Sequence, residues 1–279
     1  MAFIKIQKIP RVLRNTQVLI GGFIVAVLII MALFAPILAT HDPIAVNIPA
    51  RLGGPSAENL LGTDELGRDV LSRLIFGTRI SLTIGVLASV IGTILGVSIG
   101  VVAGYYGKWI DAIVMRLCDI LLAFPGILLA LGIITILGAS TFNTIVAVSI
   151  FAVPGFARIA RGQTMQVKKL EYIDAIRAVG ASDFRILLKH ILPNILSPIT
   201  VQSTLYVASA IVTAASLSFL GLGTQAPTPE WGTMLASGRE FLRQAPHLVL
   251  YPGLSILITV LGINLLGDGL REALAPRGR

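Results

Sequence analysis

The sequence predicts an all-α integral membrane protein with six transmembrane helices. Three observations carry that expectation: the composition, the spacing of the charges and the side on which the basic residues collect. Of 279 residues, 55% are hydrophobic and 13% are charged, about half the charged share of an ordinary soluble domain. The charges also cluster. None lies between Arg14 and Asp42, Arg79 and Lys108, Asp119 and Arg158, Lys189 and Glu230, or Arg243 and Asp268.

About 20 apolar residues are needed to cross roughly 30 Å of hydrocarbon, so the first, second and fifth gaps each hold one span. The third gap holds two and divides at Gly138-Ala139-Ser140-Thr141, a small, polar stretch suited to a turn. The fourth contains Pro193, Pro198 and Gly221-Leu222-Gly223, so only about Ile195 to Gly221 is taken as its span. The predicted spans are 17–39, 80–103, 115–137, 141–159, 197–221 and 247–268.

Taken in order, residues 1–16 form a tail carrying Lys5, Lys8, Arg11 and Arg14. A secretion signal also begins this way, but the apolar run of 17–39 is longer than a signal core and five spans follow it, so it reads as an uncleaved anchor. Residues 40–79 form the first outer loop. From Gly67 onward Asp69, Ser72 and Arg73 alternate with Val70, Leu71, Leu74 and Ile75, which predicts an amphipathic helix on the outer membrane face. Asp64, Arg68 and Asp69 are the candidates to fix this loop, either for docking a binding protein or for bracing the second span. Within that span Gly92, Gly96, Gly100 and Gly104 recur every four residues. They leave one face nearly free of side chains, a surface for close helix packing within the chain or between chains.

In the third span Asp119 follows Arg116 by one turn, the spacing of an i,i+3 ion pair. The single cysteine, Cys118, excludes an intramolecular disulfide. Pro227, Pro229 and Trp231 in the last outer loop suit a stiff segment anchored at the interface. With the N-terminus inside, sixteen lysines and arginines fall on the inner side and six on the outer, so both termini are expected in the cytoplasm. The net charge of +8 is then a topology signal with anionic membrane lipids as its counter-charge, and no nucleic-acid partner is expected.

The most informative stretch runs from Glu171 to Asn194. It is too polar to span, yet Ile173, Ile176, Ala178 and Val179 precede Gly180 at helical spacing, and Phe184, Ile186, Leu187 and Leu188 follow it. Two short amphipathic helices meeting at a glycine are predicted. Their apolar face could seat a partner or lie back on the protein's own helix ends.

This stretch resembles the loop motif of membrane subunits of bacterial ATP-binding-cassette (ABC) importers: Glu-Ala-Ala, three residues, Gly, nine residues, Ile, any residue, Leu-Pro. Asp174-Ala175-Ile176 occupies the triplet, Gly180 falls in place and Leu192-Pro193 closes the pattern; Asp174, Ile176 and His190 depart from it. Three further blocks, Leu61–Leu82, Ser216–Leu235 and Asn264–Leu274, resemble the C-type permease of dipeptide and oligopeptide importers, a family that also serves nickel chelates and glutathione. The resemblance implies the type I permease fold with a core over 80–268, a coupling loop at about 160–196 and a cytoplasmic tail at 269–279. It further implies a second homologous permease, two ATP-binding subunits that carry ATP and Mg, and a periplasmic or lipid-anchored substrate-binding protein. The coupling residues it marks are Glu171, Asp174, Ala175, Ile176, Gly180, Leu192 and Pro193.

The chain supplies no engine of its own. Gly107-Lys108 is followed by Trp109, and no glycine stands five residues before it, so a phosphate-binding loop is missing. Gly221-Leu222-Gly223 with Ala226 imitates a dinucleotide fingerprint but follows a membrane helix rather than a strand. His41, His190 and His247 are far apart and no His-Glu-x-x-His occurs. A non-catalytic transport subunit with no metal, no catalytic residue and no bound cofactor is expected; the substrate-binding residues are not assignable from the chain. The competing reading is a secondary transporter coupling protons through Asp119 or Asp268.

Overall fold

The computed structural model describes residues 15–274, and Asn15 starts the first helix among them. The basic tail residues Lys5, Lys8, Arg11 and Arg14, like Arg277 and Arg279, lie outside them. The Asn15 side chain accepts from the Gln17 and Val18 amides, capping α1 (Thr16–Leu33). At about 1.5 Å per residue these 18 residues are about 27 Å long, close to the thickness of a hydrocarbon core. A single turn, α2 (Ala35–Leu38), follows, then the loop to Asp69. Asp69 caps α3 (Val70–Tyr106) by accepting from the Ser72 amide.

Gly107, with φ +66°, ends α3 and turns the chain into α4 (Lys108–Ala123). A break at Phe124-Pro125 bends the chain by 92° into α5 (Gly126–Leu137). Ser140 caps α6 (Thr141–Lys168). Then come α7 (Glu171–Ala178), α8 (Asp183–Ile186), a π turn over Leu187–Ile191 and α9 (Leu192–Phe219). Glu230 caps α10 (Trp231–Gly238), and α11 (His247–Leu274) completes the described chain. Among the described residues, five helical stretches are long and apolar enough to cross a membrane, and α4 with α5 makes a sixth if the bent pair counts as one. The molecule thus has an elbow end, at α7 and α8, and a cap end, at α10 and the loop before α3.

The glycine stripe is where α3 meets α6. A methyl group added at Gly96 would sit 2.6 Å from Phe156 Cβ, and one at Gly104 would sit 2.8 Å from Arg161 O. Gly92 and Gly100 are held as closely, against Ala152 and Ala157. Both helices therefore approach backbone to backbone, the contact that lipid-embedded helices use in place of a hydrophobic driving force. Gly21 and Gly262 serve the α1–α11 contact in the same way.

Four expectations are corrected. The amphipathic helix expected on the outer surface is the first turns of α3, because no proline separates Val70 from the span and its polar side chains turn inward. The third span is not one rod: Pro125 cannot donate an amide and excludes the helical conformation for Phe124. Asp119 pairs with Arg158 on α6 at 2.6 Å rather than with Arg116. Trp231 does not lie at an interface; it is fully buried and donates its indole N–H to Leu74 O at 3.2 Å.

Candidate functional site: the elbow from Glu171 to Pro193

The elbow begins where α6 ends at Lys168. Glu171 and Asp174 in the first turn of α7 and Arg177 in its last turn suit the helix dipole at both ends. Gly180 turns the chain with φ +87°, and open space surrounds the position where a Cβ would stand. The glycine is therefore required by backbone conformation alone, since an L side chain pays for this region even without a clash. From Asp183 the chain runs through the π turn into α9 without a break. Pro193 follows directly on the π turn, and its missing amide removes one helical hydrogen bond from this continuous run.

One face of the elbow is locked to the bundle. Ile173, Ile186, Ile191 and Ile195 are fully buried against Val97, Val101, Tyr105 and Val167. Polar contacts hold the same face. Tyr105, on the last turn of α3, donates its hydroxyl to Asp183 at 2.5 Å. Arg177 donates to the same hydroxyl at 3.4 Å and lies 5.9 Å from the ring centroid, a cation–π distance. Lys168 donates to Tyr105 O. Asn194 donates to His190 O at 2.6 Å and to Tyr172 Oη at 3.0 Å, closing the far side.

The other face is bare. Val179 is 89% exposed and Phe184 72%, one on each side of Gly180. Glu171, Asp174, Ala175 and Arg185 are exposed around them, and Asp174 pairs with Arg177 at 3.2 Å. Two large apolar side chains flanking a glycine turn and ringed by charges make a small knob. Burying each on docking is worth roughly 1.5–3 kcal/mol.

A family described as the binding-protein-dependent transport system inner membrane component matches residues 92–279. The chain belongs to that family. Residues 9–55 match a second description, the N-terminal transmembrane domain of oligopeptide transport permease C. The dipeptide transport system permease protein DppC of Alkalihalophilus pseudofirmus is 47% identical over 95% of this chain and 87% of its own length. The glutathione transport system permease protein GsiD of Pectobacterium atrosepticum is 48% identical over 96% and 89%. Among solved structures, an inward-facing form of the MetNI methionine ABC transporter superposes with a TM-score of 0.59 at 20% identity, covering 74% of this chain and 98% of that one. That likeness concerns the fold alone. The chain is a multi-pass inner-membrane permease of the ABC importer class.

At the cap end of this permease, the residues singled out in the first loop form a buried network. Asp64 accepts from Arg68 Nε at 2.7 Å and from the Leu66 and Arg68 amides, and lies 3.3 Å from Arg73 Nε. Arg68 also reaches Glu65, and Arg73 donates to Pro43 O. Asp69 accepts from Ser72 and, at 3.0 Å, from Asn59. Burial pushes the Asp69 carboxyl up, but the bonds from Ser72 and Asn59, with His41 nearby, outweigh it and hold the group below its ordinary value. With Asp64, Arg68, Asp69 and Arg73 all nearly inaccessible, the network fastens the loop onto the head of α3. Glu230 is buried beside it and accepts from the Gly232 and Thr233 amides and from Ser81. Burial pushes its carboxyl up.

The structure gathers Glu171, Asp174, Ala175, Ile176 and Gly180 on one protrusion. Leu192 and Pro193 lie further along, where α9 leaves the elbow, with Leu192 packed against the buried isoleucines. Sequence reasoning missed the anchors Tyr105 and Asp183. They are 78 positions apart, and only the helical phase of Tyr105 relative to the glycine stripe could have hinted that it faces inward.

Proposed function

We propose that this permease is a non-catalytic half of an ATP-driven importer of short peptides, driven by a separate ATP-binding subunit that grips the elbow. The observation that carries the reading is the apolar knob of Val179 and Phe184, mounted on a base bonded to both α3 and α9. The elbow end is then cytoplasmic and the cap end faces the periplasm, where a binding protein delivers the solute. A second, homologous permease completes the passage, two ATP-binding subunits bring ATP and Mg, and this chain binds no cofactor. Peptides are favoured by the similarity to the dipeptide permease DppC and to the oligopeptide permease domain; glutathione, itself a short peptide, is carried by the GsiD system according to its name. Nickel chelates are the third candidate cargo.

A proton-coupled secondary transporter is the weaker reading. Asp119 and Asp268 are both exposed, and Asp119 is already paired with Arg158, so neither resembles an isolated carboxylate held for proton exchange. The test is uptake by the complete complex in vesicles, using a panel of dipeptides, longer peptides, glutathione and nickel. ATP-dependent accumulation of peptides is expected. Uptake by this chain alone on a pH gradient, without ATP, would defeat the proposal.

A further inference from the structure

Helices α1, α3, α9 and α11 leave a lateral groove of about 700 Å³ between them. It runs obliquely from Leu33 and Arg79 toward Leu196 and Leu266, with Ile29 and Val86 among its aliphatic walls. The hydroxyl groups along it are already engaged. Thr83 donates to Arg79 O at 2.7 Å, Thr200 to Leu196 O at 2.9 Å and Thr204 to Thr200 O at 3.0 Å. Ser89 donates to Ser203 O at 2.9 Å. Such walls have little to offer a water-soluble solute.

The single charge lining the groove is Arg79. Its side chain is exposed, and none of the ion pairs among the described residues includes it. Leu33, the last residue of α1, lines the same end. α1 is about as long as the hydrocarbon is thick and its exposed apolar run continues only one turn further, to Leu38, which puts this end of the groove near the boundary between acyl chains and head groups. Arg79 is therefore a cation at head-group level with an apolar channel beneath it.

We propose that this groove binds one phospholipid of the cap-side leaflet, its phosphate on the Arg79 guanidinium and an acyl chain laid along α3. A guanidinium suits a phosphate because its planar fork donates two parallel hydrogen bonds. A partner helix would need an acidic side chain set opposite Arg79 to satisfy its charge, whereas a phospholipid brings its own phosphate to that position. The lipid fills the cleft between α1 and α9 with methylene contacts that no side chain supplies.

A photoreactive residue at Val90, in the complete complex purified from native membranes, tests the assignment by what it captures. The expected product is a phospholipid adduct, reduced about tenfold by Arg79→Ala, as loss of one charged hydrogen-bonding group implies, and largely kept by Arg79→Lys. The filling variant Ala32→Trp should also abolish capture while leaving the complex assembled. Lipid capture indifferent to Arg79, or adducts to the partner permease or to peptide during turnover, would overturn the proposal. Apart from the peptide adduct, none of these outcomes depends on uptake, so failure here leaves the transport reading untouched.

Discussion

Gly180 shows how much can hang on one residue with nothing around it. At φ +87° any side chain costs about 1–2 kcal/mol in backbone strain, and a β-branched one more, yet no neighbour obstructs it. Gly180→Val should therefore leave the bundle folded and tilt Val179 relative to Phe184. Uptake should fall at least tenfold while ATP hydrolysis by the complex persists; unchanged uptake in a folded variant would remove the docking role. Asp69 makes an opposite kind of contribution, to stability. Its folded carboxyl lies below the unfolded value, so the stabilisation is complete above the unfolded value and is lost as pH falls through the folded one. Asp69→Asn keeps a capping oxygen but loses the charge, so it should lower the melting temperature at neutral pH by the equivalent of about 0.3–1 kcal/mol. The gap from wild type should narrow as the medium is acidified below the carboxylate range, and a gap independent of pH would refute the assignment.

Elements were legible where the signal is local. The charge-free intervals located the spans, and Gly180 located the turn, because both are properties of consecutive residues. The break at Phe124-Pro125 was hidden by apolar residues on both sides, although the proline was itself a warning. The inward course of Val70–Ile75 and the burial of Trp231 were not legible, since Leu74 O, the acceptor of the indole, is 157 positions away. Arg158 was missed as the partner of Asp119 for the same reason: helical spacing ranks near neighbours, and 39 positions carry no spacing signal. The glycine stripe was legible as a packing surface, but not its partner, α6. Gly100→Leu should drive Leu into the Ala157 backbone, an overpacking that costs about 1–3 kcal/mol or more. Low yield and a lowered melting temperature are expected, whereas Gly107→Ala, where no neighbour lies within 4 Å, should show only the cost of its backbone conformation.

At the scale of the whole molecule, the two ends answer to different chemistry. The cap end is sealed by buried charges, and the elbow end offers exposed apolar surface. Cysteine labelling in intact cells tests which side each faces: Val179→Cys should react only with a permeant reagent, and Ser56→Cys with an impermeant one. Cys118 is buried and should contribute little background. The reverse pattern would invert the topology. The unbroken helical run from Asp183 to Phe219, 37 residues including its π turn, has a consequence for motion. At about 1.5 Å per residue it is about 55 Å long, reaching from the elbow to the edge of the cap. The π turn, Pro193 and Pro198 all lie in its cytoplasmic half by the proposed topology, and helices bend at such joints, so a pull on the proposed knob at Phe184 would be taken up by flexing near the elbow before it reached the far side of the bilayer.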